Sequence, residues 1–252
     1  MSKISRRALI RGGIATAVGA SGFAAAAQLG RRYGLIPPDC RGIYGAGETL
    51  NYGVQRLFAR NTLAREFPRS AISKVPFANA TDPPKDDFKR LQAGGFLDWR
   101  LKVDGMVARP ASLTIGEIKS YPTRSQITHL ACEEGWSYIA EWTGAPLSHI
   151  LEEAGVLPQA KYVFYFSIQH DWWDSIDIAE AMHPQTLVAY GLNGGDLPVG
   201  NGGPLRLRVP RQLGYKSVKY ITRLAVTDSP KSFGKGLGSL APEFGYTWYA
   251  GI

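Results

Sequence analysis

Thr128–Trp142, THLACEEGWSYIAEW, sets one cysteine at the end of an apolar run and follows it with two carboxylates, a glycine and two tryptophans. Ile127–Ala131 mixes β-branched and apolar residues and predicts a short strand. Glu133–Gly135 breaks that pattern, because adjacent acids and a glycine suit a turn. Cys132 therefore stands where a buried strand opens into a loop, a place where a rigid element presents a reactive group. A free cysteine is often only a small buried core residue. Read as chemistry, the same position makes Cys132 a thiolate ligand to a metal.

A chain of 252 residues can bury a sizeable core, and mixed or all-β domains of this size are often single. The formal charge of +8 suggests nucleic acid, but Lys3, Arg6, Arg7 and Arg11 supply half of it from the acid-free residues 1–27. The remaining cations are thinly spread except for a cluster near 206–219, which suits a bound anion better than a nucleic-acid surface. Two cysteines make no disulfide framework. Cys40, in IPPDCRGIYGAG, reads as a bystander, with a Cys40–Cys132 disulfide as the competing arrangement. His129, His149, His170 and His183 lack i,i+4 pairing and any HExxH, which argues against zinc. Neither a GxSxG nor a Walker sequence is present. Asp171, Asp174 and Asp177 lack the spacing and terminal glutamate of a calcium loop. Trp172 and Trp173 suit either core packing or a pocket wall.

Ser5–Arg11, SRRALIR, is a twin-arginine pattern. A weakly apolar run, Ile14–Ala27, follows and ends in four alanines that offer cleavage positions. The run is shorter than the roughly 20 residues that span a bilayer. Residues 1–30 are therefore expected to be an export signal directing the protein to the periplasm, with cleavage or retention as an anchor left open. Twin-arginine export carries folded proteins, which suits a cofactor inserted before crossing.

Residues 31–98 read as an irregular N-terminal segment packing on a catalytic domain at 99–252. Within that segment, Thr49–Phe67 carries Leu50, Val54, Leu57, Phe58 and Leu63 near helical spacing and predicts an amphipathic helix. Trp99, Leu101 and Val103 alternate with Arg100, Lys102 and Asp104, predicting a half-buried strand. Thr114 and Glu117 form a capping-box pattern ahead of a short helix that Pro122 ends. Pro146 opens a helix at Leu147–Ala154 that Gly155 closes. Tyr162–Ile168 predicts a buried strand, and Asp177-x-x-Glu180 another short capped helix. Short strands are expected at Thr186–Tyr190, Leu205–Val209 and Lys219–Val226. No helix is long enough for regular parallel crossovers, so the fold class is α+β, a sheet-dominated mixed fold.

Asn201–Lys219, NGGPLRLRVPRQLGYKSVK, is the second stretch with chemistry. Gly202 and Gly203 let backbone N–H groups converge on an anion. Leu205, Leu207 and Val209 point one way along a strand, so Arg206 and Arg208 point the other. With Arg211, Lys216 and Lys219 they make either a phosphate site or a solvated basic face.

Together these stretches become recognisable. CEEGWSYIAEWTGAPLSHIL, AKYVFYFS, MHPQTLVAYGLNGGDLPVGNGGPLRLRVP and GYKSVKYI resemble the molybdopterin-binding domain of the sulfite oxidase family. The resemblance runs from about Trp99 to Asp228 and is nearest the periplasmic, twin-arginine-exported branch, which includes methionine-sulfoxide-reducing enzymes. It implies a molybdenum–molybdopterin cofactor with a single pyranopterin, ligated to metal by Cys132. It implies that Asn201, Arg206, Ser217, Val218 and Lys219 hold the pterin and its phosphate. Ser167 matches a hydroxyl residue at the cofactor, Asn79 an N-terminal contact, and Glu134 a residue near the metal that relays protons.

Sulfite-oxidising members carry an Asn-Arg pair soon after the cysteine, where this chain has Glu133-Glu134. Acids there disfavour a sulfite dianion. The sequence ends 24 residues after Asp228, which leaves no room for the immunoglobulin-like dimerisation domain of sulfite oxidases. The expectation is a monomeric oxygen-atom-transfer enzyme working reductively on S-oxides such as methionine sulfoxide. Its electrons would come from a separate partner, a membrane cytochrome in the relatives. Oxidation of sulfite or a similar oxyanion is the alternative reaction, and a binding protein that keeps the fold without activity is the alternative class.

Overall fold

The computed structural model describes residues 22, 24–30, 32–37, 45–79, 86–169, 172–233 and 235–252. The twin-arginine pattern, Cys40, His170 and Asp171 lie outside the described residues. Two compact units divide the chain, Met1–Arg60 and Asn61–Ile252.

In the first unit, α1 spans Ala46–Ala59. The predicted helix exists but stops eight residues before Phe67. Beyond it, Phe67 N–H donates instead to the Ile127 carbonyl at 2.9 Å, and Glu66 forms a bridge with Thr128. Strand-like pairing of those backbone groups replaces helical pairing. The buried face also differs from expectation: α1 buries Tyr52 and Arg56 and leaves Leu50, Val54, Leu57 and Phe58 exposed. The Arg56 guanidinium lies 5.1 Å from the centroid of the Tyr52 ring one turn away.

The second unit opens with an extended segment and α2 (Asp86–Ala93). Its first sheet has strand order β2-β1-β10-β5-β6. These strands are β1 (Arg100–Gly105), β2 (Ala111–Thr114), β5 (Tyr162–Ser167), β6 (Trp173–Asp177) and β10 (Ile221–Thr227). Only the β1–β10 pairing in it is parallel. The second sheet runs β3 (Arg124–Ala131), β4 (Ser137–Pro146), β7 (Leu187–Leu192) and β8 (Gly195–Asp196), with β9 (Arg206–Arg208) also paired to β7. This is the expected sheet-dominated α+β fold.

Local sequence explains the elements. Trp99, just before β1, and Leu101 and Val103 on it are buried and alternate with outward polar residues. Helix α3 (Ile115–Ser120) starts with a complete capping box between Thr114 and Glu117. Helix α4 (Leu147–Ala154) ends on Gly155 in the left-handed region, and α5 (Ile178–Ala181) is capped by Asp177. Leu147, Ile150 and Leu151 of α4 join Leu101, Val163, Leu207 and Leu224 in one apolar core shared by both sheets. The β3–β4 hairpin that leads to Cys132 and the strand that carries the arginines are joined in one sheet through β7, and that core backs it.

Candidate cofactor site

The turn Cys132–Trp136 joins β3 to β4, which pair without interruption from Ala131–Ser137 to Arg124–Gly144. Cys132 N–H donates to the Trp136 carbonyl at 2.9 Å, and Gly135 N–H returns to the Cys132 carbonyl at 3.1 Å. Gly135 has φ +91°, which suits glycine. Two rigid strands thus present the thiol at a fixed point. Cys132 Sγ donates to Glu133 Oε2 at 3.2 Å and lies 3.8 Å from Glu134 Oε2. That Glu134 oxygen accepts from Trp136 Nε1 at 2.6 Å and from Asn79 Nδ2 at 3.2 Å. Burial, reinforced by the Glu133 carboxylate, pushes the Cys132 thiol up to about 12. The sulfur is free of any disulfide and is held as a thiol until a cation meets it.

The basic cluster is sorted by burial. Arg206 and Arg208 are both buried, so the exposed-basic-face alternative does not hold. Arg206 Nε donates to the Ser217 carbonyl at 2.8 Å and Nη1 to the Asn201 carbonyl at 3.0 Å. Arg208 Nη2 donates to the His129 carbonyl at 2.6 Å and to Thr128 Oγ1 at 3.2 Å. Both guanidinium groups lie 5.4 Å from the Trp142 ring centroid. Lys219 Nζ donates to the carbonyls of Asn79 and Gly200. Burial lowers all three cations, Arg208 to about 9 and Lys219 to about 7, with Arg206 the next cause for both. Arg211 and Lys216, grouped with them by spacing, serve elsewhere. Arg211 pairs with Glu180 at 2.7 Å and Lys216 with Asp174 at 2.6 Å, all buried.

Gly202 and Gly203 act differently from expectation. Their N–H groups donate to the carbonyls of Val199 and Pro198, so neither is aimed at an anion. Gly202 has φ +107°, and a Cβ there would come within 2.9 Å of Lys219 Cγ and 3.2 Å of Arg206 Cδ. Its requirement is room for the two cations.

A cavity of about 490 Å³ joins these parts. Asn79, Cys132, Glu134, Arg206, Ser217, Val218 and Lys219 all line it. Asn201 stands behind Arg206 and donates its side-chain amide to the Phe77 carbonyl at 3.3 Å. Ser167 is not among the lining residues; its Oγ accepts from Gln169 N–H at 3.0 Å, and Gln169 is. Sequence reasoning overlooked Gln169, Tyr215 and Gly214 as wall residues, and left Trp172 undecided. Arg208 shares the alternation that singled out Arg206, so its pairing with Arg206 was legible while its contact with β3 was not.

Chemically, the cavity offers a soft sulfur donor at the hairpin turn together with buried Arg206 and half-buried Lys219, with Arg208 buried behind them. None of Arg206, Arg208 and Lys219 has a carboxylate partner among the described residues. Buried charges without counterions are costly, and a bound phosphate removes that cost. The donor set fits a ligand that carries both a thiophilic metal and an anionic tail.

Residues 90–233 match the family described as oxidoreductase molybdopterin binding domain. The chain is 37% identical over 195 residues to a protein of Azospira oryzae provisionally named protein-methionine-sulfoxide reductase subunit YedZ1, covering 77% of this chain and 70% of that protein. It is 40% identical over 141 residues to the protein-methionine-sulfoxide reductase catalytic subunit MsrP of Xanthomonas campestris and of Xanthomonas axonopodis. Those matches cover 50% of this chain and 44% of each Xanthomonas protein, so the chain spans less than half their length. Among solved structures, the sulfane dehydrogenase SoxCD of Paracoccus pantotrophus matches with TM-score 0.51 and 26% identity over 53% of this chain and 39% of that one.

Proposed function

The chain belongs to the oxidoreductase molybdopterin-binding family, and from that premise we propose that it reduces S-oxides, methionine sulfoxide among them, by oxygen-atom transfer. Cys132 would ligate the molybdenum. Arg206, Ser217, Val218 and Lys219, backed by Asn201, would hold the pterin and its phosphate. When bound, the cofactor supplies two-electron redox chemistry at the metal.

The chain's own residues do the rest. Glu134 Oε2, oriented by the N–H groups of Trp136 and Asn79, faces the thiol position as an acceptor from which a proton can be relayed. Reducing an S-oxide to a sulfide and water takes two electrons and two protons, and Glu134 is placed to pass protons to the departing oxygen. Trp136 and Trp172 give the cavity apolar walls suited to a thioether side chain.

The observation that carries this reading is the pair Glu133 and Glu134, with carboxylate oxygens 3.2 and 3.8 Å from Cys132 Sγ. A sulfite dianion would enter against that negative charge, whereas a neutral S-oxide would not. The MsrP relatives, named for methionine-sulfoxide reduction, support the same direction. The protein would work as a monomer in the periplasm after twin-arginine export, taking electrons from a membrane cytochrome. Oxidation of sulfite or another reduced sulfur compound is the second reading, favoured by the likeness to a sulfane dehydrogenase. Steady-state assays of molybdenum-loaded protein separate them. Methionine sulfoxide with a reduced dye is expected to turn over and sulfite with an oxidised acceptor to be slow; fast sulfite turnover without S-oxide reduction overturns the proposal.

A further inference from the structure

Leu50, Val54, Leu57 and Phe58 recur at i, i+4, i+7 and i+8 along α1 and so share one face. All four are exposed, from 47% at Val54 to 75% at Phe58. The same helix buries Tyr52 and Arg56. A 14-residue helix that turns its apolar stripe to solvent while covering a cation is inverted relative to one that closes a core.

Charge narrows what that stripe meets. Met1–Arg60 contains nine lysines and arginines against Asp39 and Glu48, so it carries +7 of the chain's +8. Beyond residue 30 the excess persists, with Arg31, Arg32, Arg41, Arg56 and Arg60 against the same two acids. No helix among the described residues is long and apolar enough to cross a membrane. An apolar helix face within a basic unit fits the interface of an anionic bilayer, where the stripe enters the acyl boundary and exposed cations such as Arg32 and Arg60 meet headgroup phosphates. A protein groove would need acids matched to each arginine; a lipid surface presents negative charge in every direction.

We propose that the Leu50–Val54–Leu57–Phe58 face of α1 docks the protein on an anionic membrane surface. Such docking confines the enzyme to the plane in which a membrane-embedded electron donor lies. It goes beyond the catalytic reading and stands whichever substrate the cofactor site takes.

The test is co-sedimentation of full-length, cofactor-loaded protein with vesicles of phosphatidylcholine alone or mixed with phosphatidylglycerol. The protein is expected to partition onto the mixed vesicles, to do so less on phosphatidylcholine, and to be partly released by high salt. A quadruple variant, Leu50→Gln, Val54→Gln, Leu57→Gln and Phe58→Gln, is expected to lose about tenfold or more in partition. It should keep wild-type cofactor content and dye-linked activity, since none of the four residues belongs to the cofactor site. The variant retains residues 1–30, so insertion of that leading segment cannot account for the loss. Equal binding of variant and wild type overturns the proposal. So does sedimentation that requires a membrane protein in the vesicles, which would make the face a protein-docking surface.

Discussion

Arg208 donates to the carbonyl of His129 at 2.6 Å, although 79 residues separate them. The contact ties the strand that ends at Cys132 to the strand that carries Arg206. It links the Cys132 side of the cavity to the Arg206 side through one buried side chain. Arg208→Lys keeps the charge but cannot reach His129 O, Thr128 Oγ1 and Ser217 Oγ with one planar fork. The variant is expected to lose about 2–3 kcal/mol, read by urea denaturation of cofactor-free protein. A loss below about 0.5 kcal/mol would show that the contact is dispensable.

Glu180 and Arg211 are buried together at 2.7 and 3.1 Å. Glu180→Ala strands a buried guanidinium and is expected to cost about 3–5 kcal/mol. The double variant Glu180→Met, Arg211→Met is expected to recover much of that, because no uncompensated charge remains. Thermal melts of the three proteins check the order.

Cys132 is expected to react slowly as a thiol. With its thiol raised from 9.0 to about 12, cofactor-free protein near neutral pH should hold about a thousandfold less thiolate than an ordinary cysteine. Alkylation by iodoacetamide, followed on the Cys132 peptide by mass spectrometry, is expected to be correspondingly slow and to accelerate in Glu133→Gln. In loaded protein, Cys132→Ser should change the Mo(V) EPR signal. An unchanged signal would remove Cys132 from the metal.

Lys219 makes anion binding depend on pH. Burial, and then Arg206, hold its ammonium down at about 7. A bound anion favours the charged form and raises that value, so binding takes up a proton above neutrality. Affinity of cofactor-free protein for sulfate, which stays a dianion across this range, is therefore expected to be flat below pH 7. It should weaken as pH rises through 7 and beyond. Calorimetry between about pH 6 and 9 reads this, and Lys219→Met should flatten the curve.

Gly202 leaves room for both cavity cations. Gly202→Ala, with a Cβ 2.9 Å from Lys219 Cγ in a left-handed backbone, is expected to displace Lys219 and lower pterin content several-fold while the fold survives. Cofactor extraction with circular dichroism as a control measures it.

What the sequence determined by itself is local. The turn after β3, the capping box at Thr114, the ends of α4 and the alternation on β1 follow from backbone preferences and side chains a few residues apart. The family resemblance added the likeness of the cofactor site. Tertiary structure alone decided how five similar cations divide. Arg211 and Lys216 are neutralised by Glu180 and Asp174, 31 and 42 residues away, which leaves Arg206 and Lys219 lining the cavity and Arg208 buried behind them against β3. It also carried Asn79 to Glu134 across 55 positions and turned the apolar face of α1 to solvent. The physical reason is competition. A buried charge pairs with whichever partner the packed core places within reach, and an apolar stripe is buried only if another surface arrives to cover it.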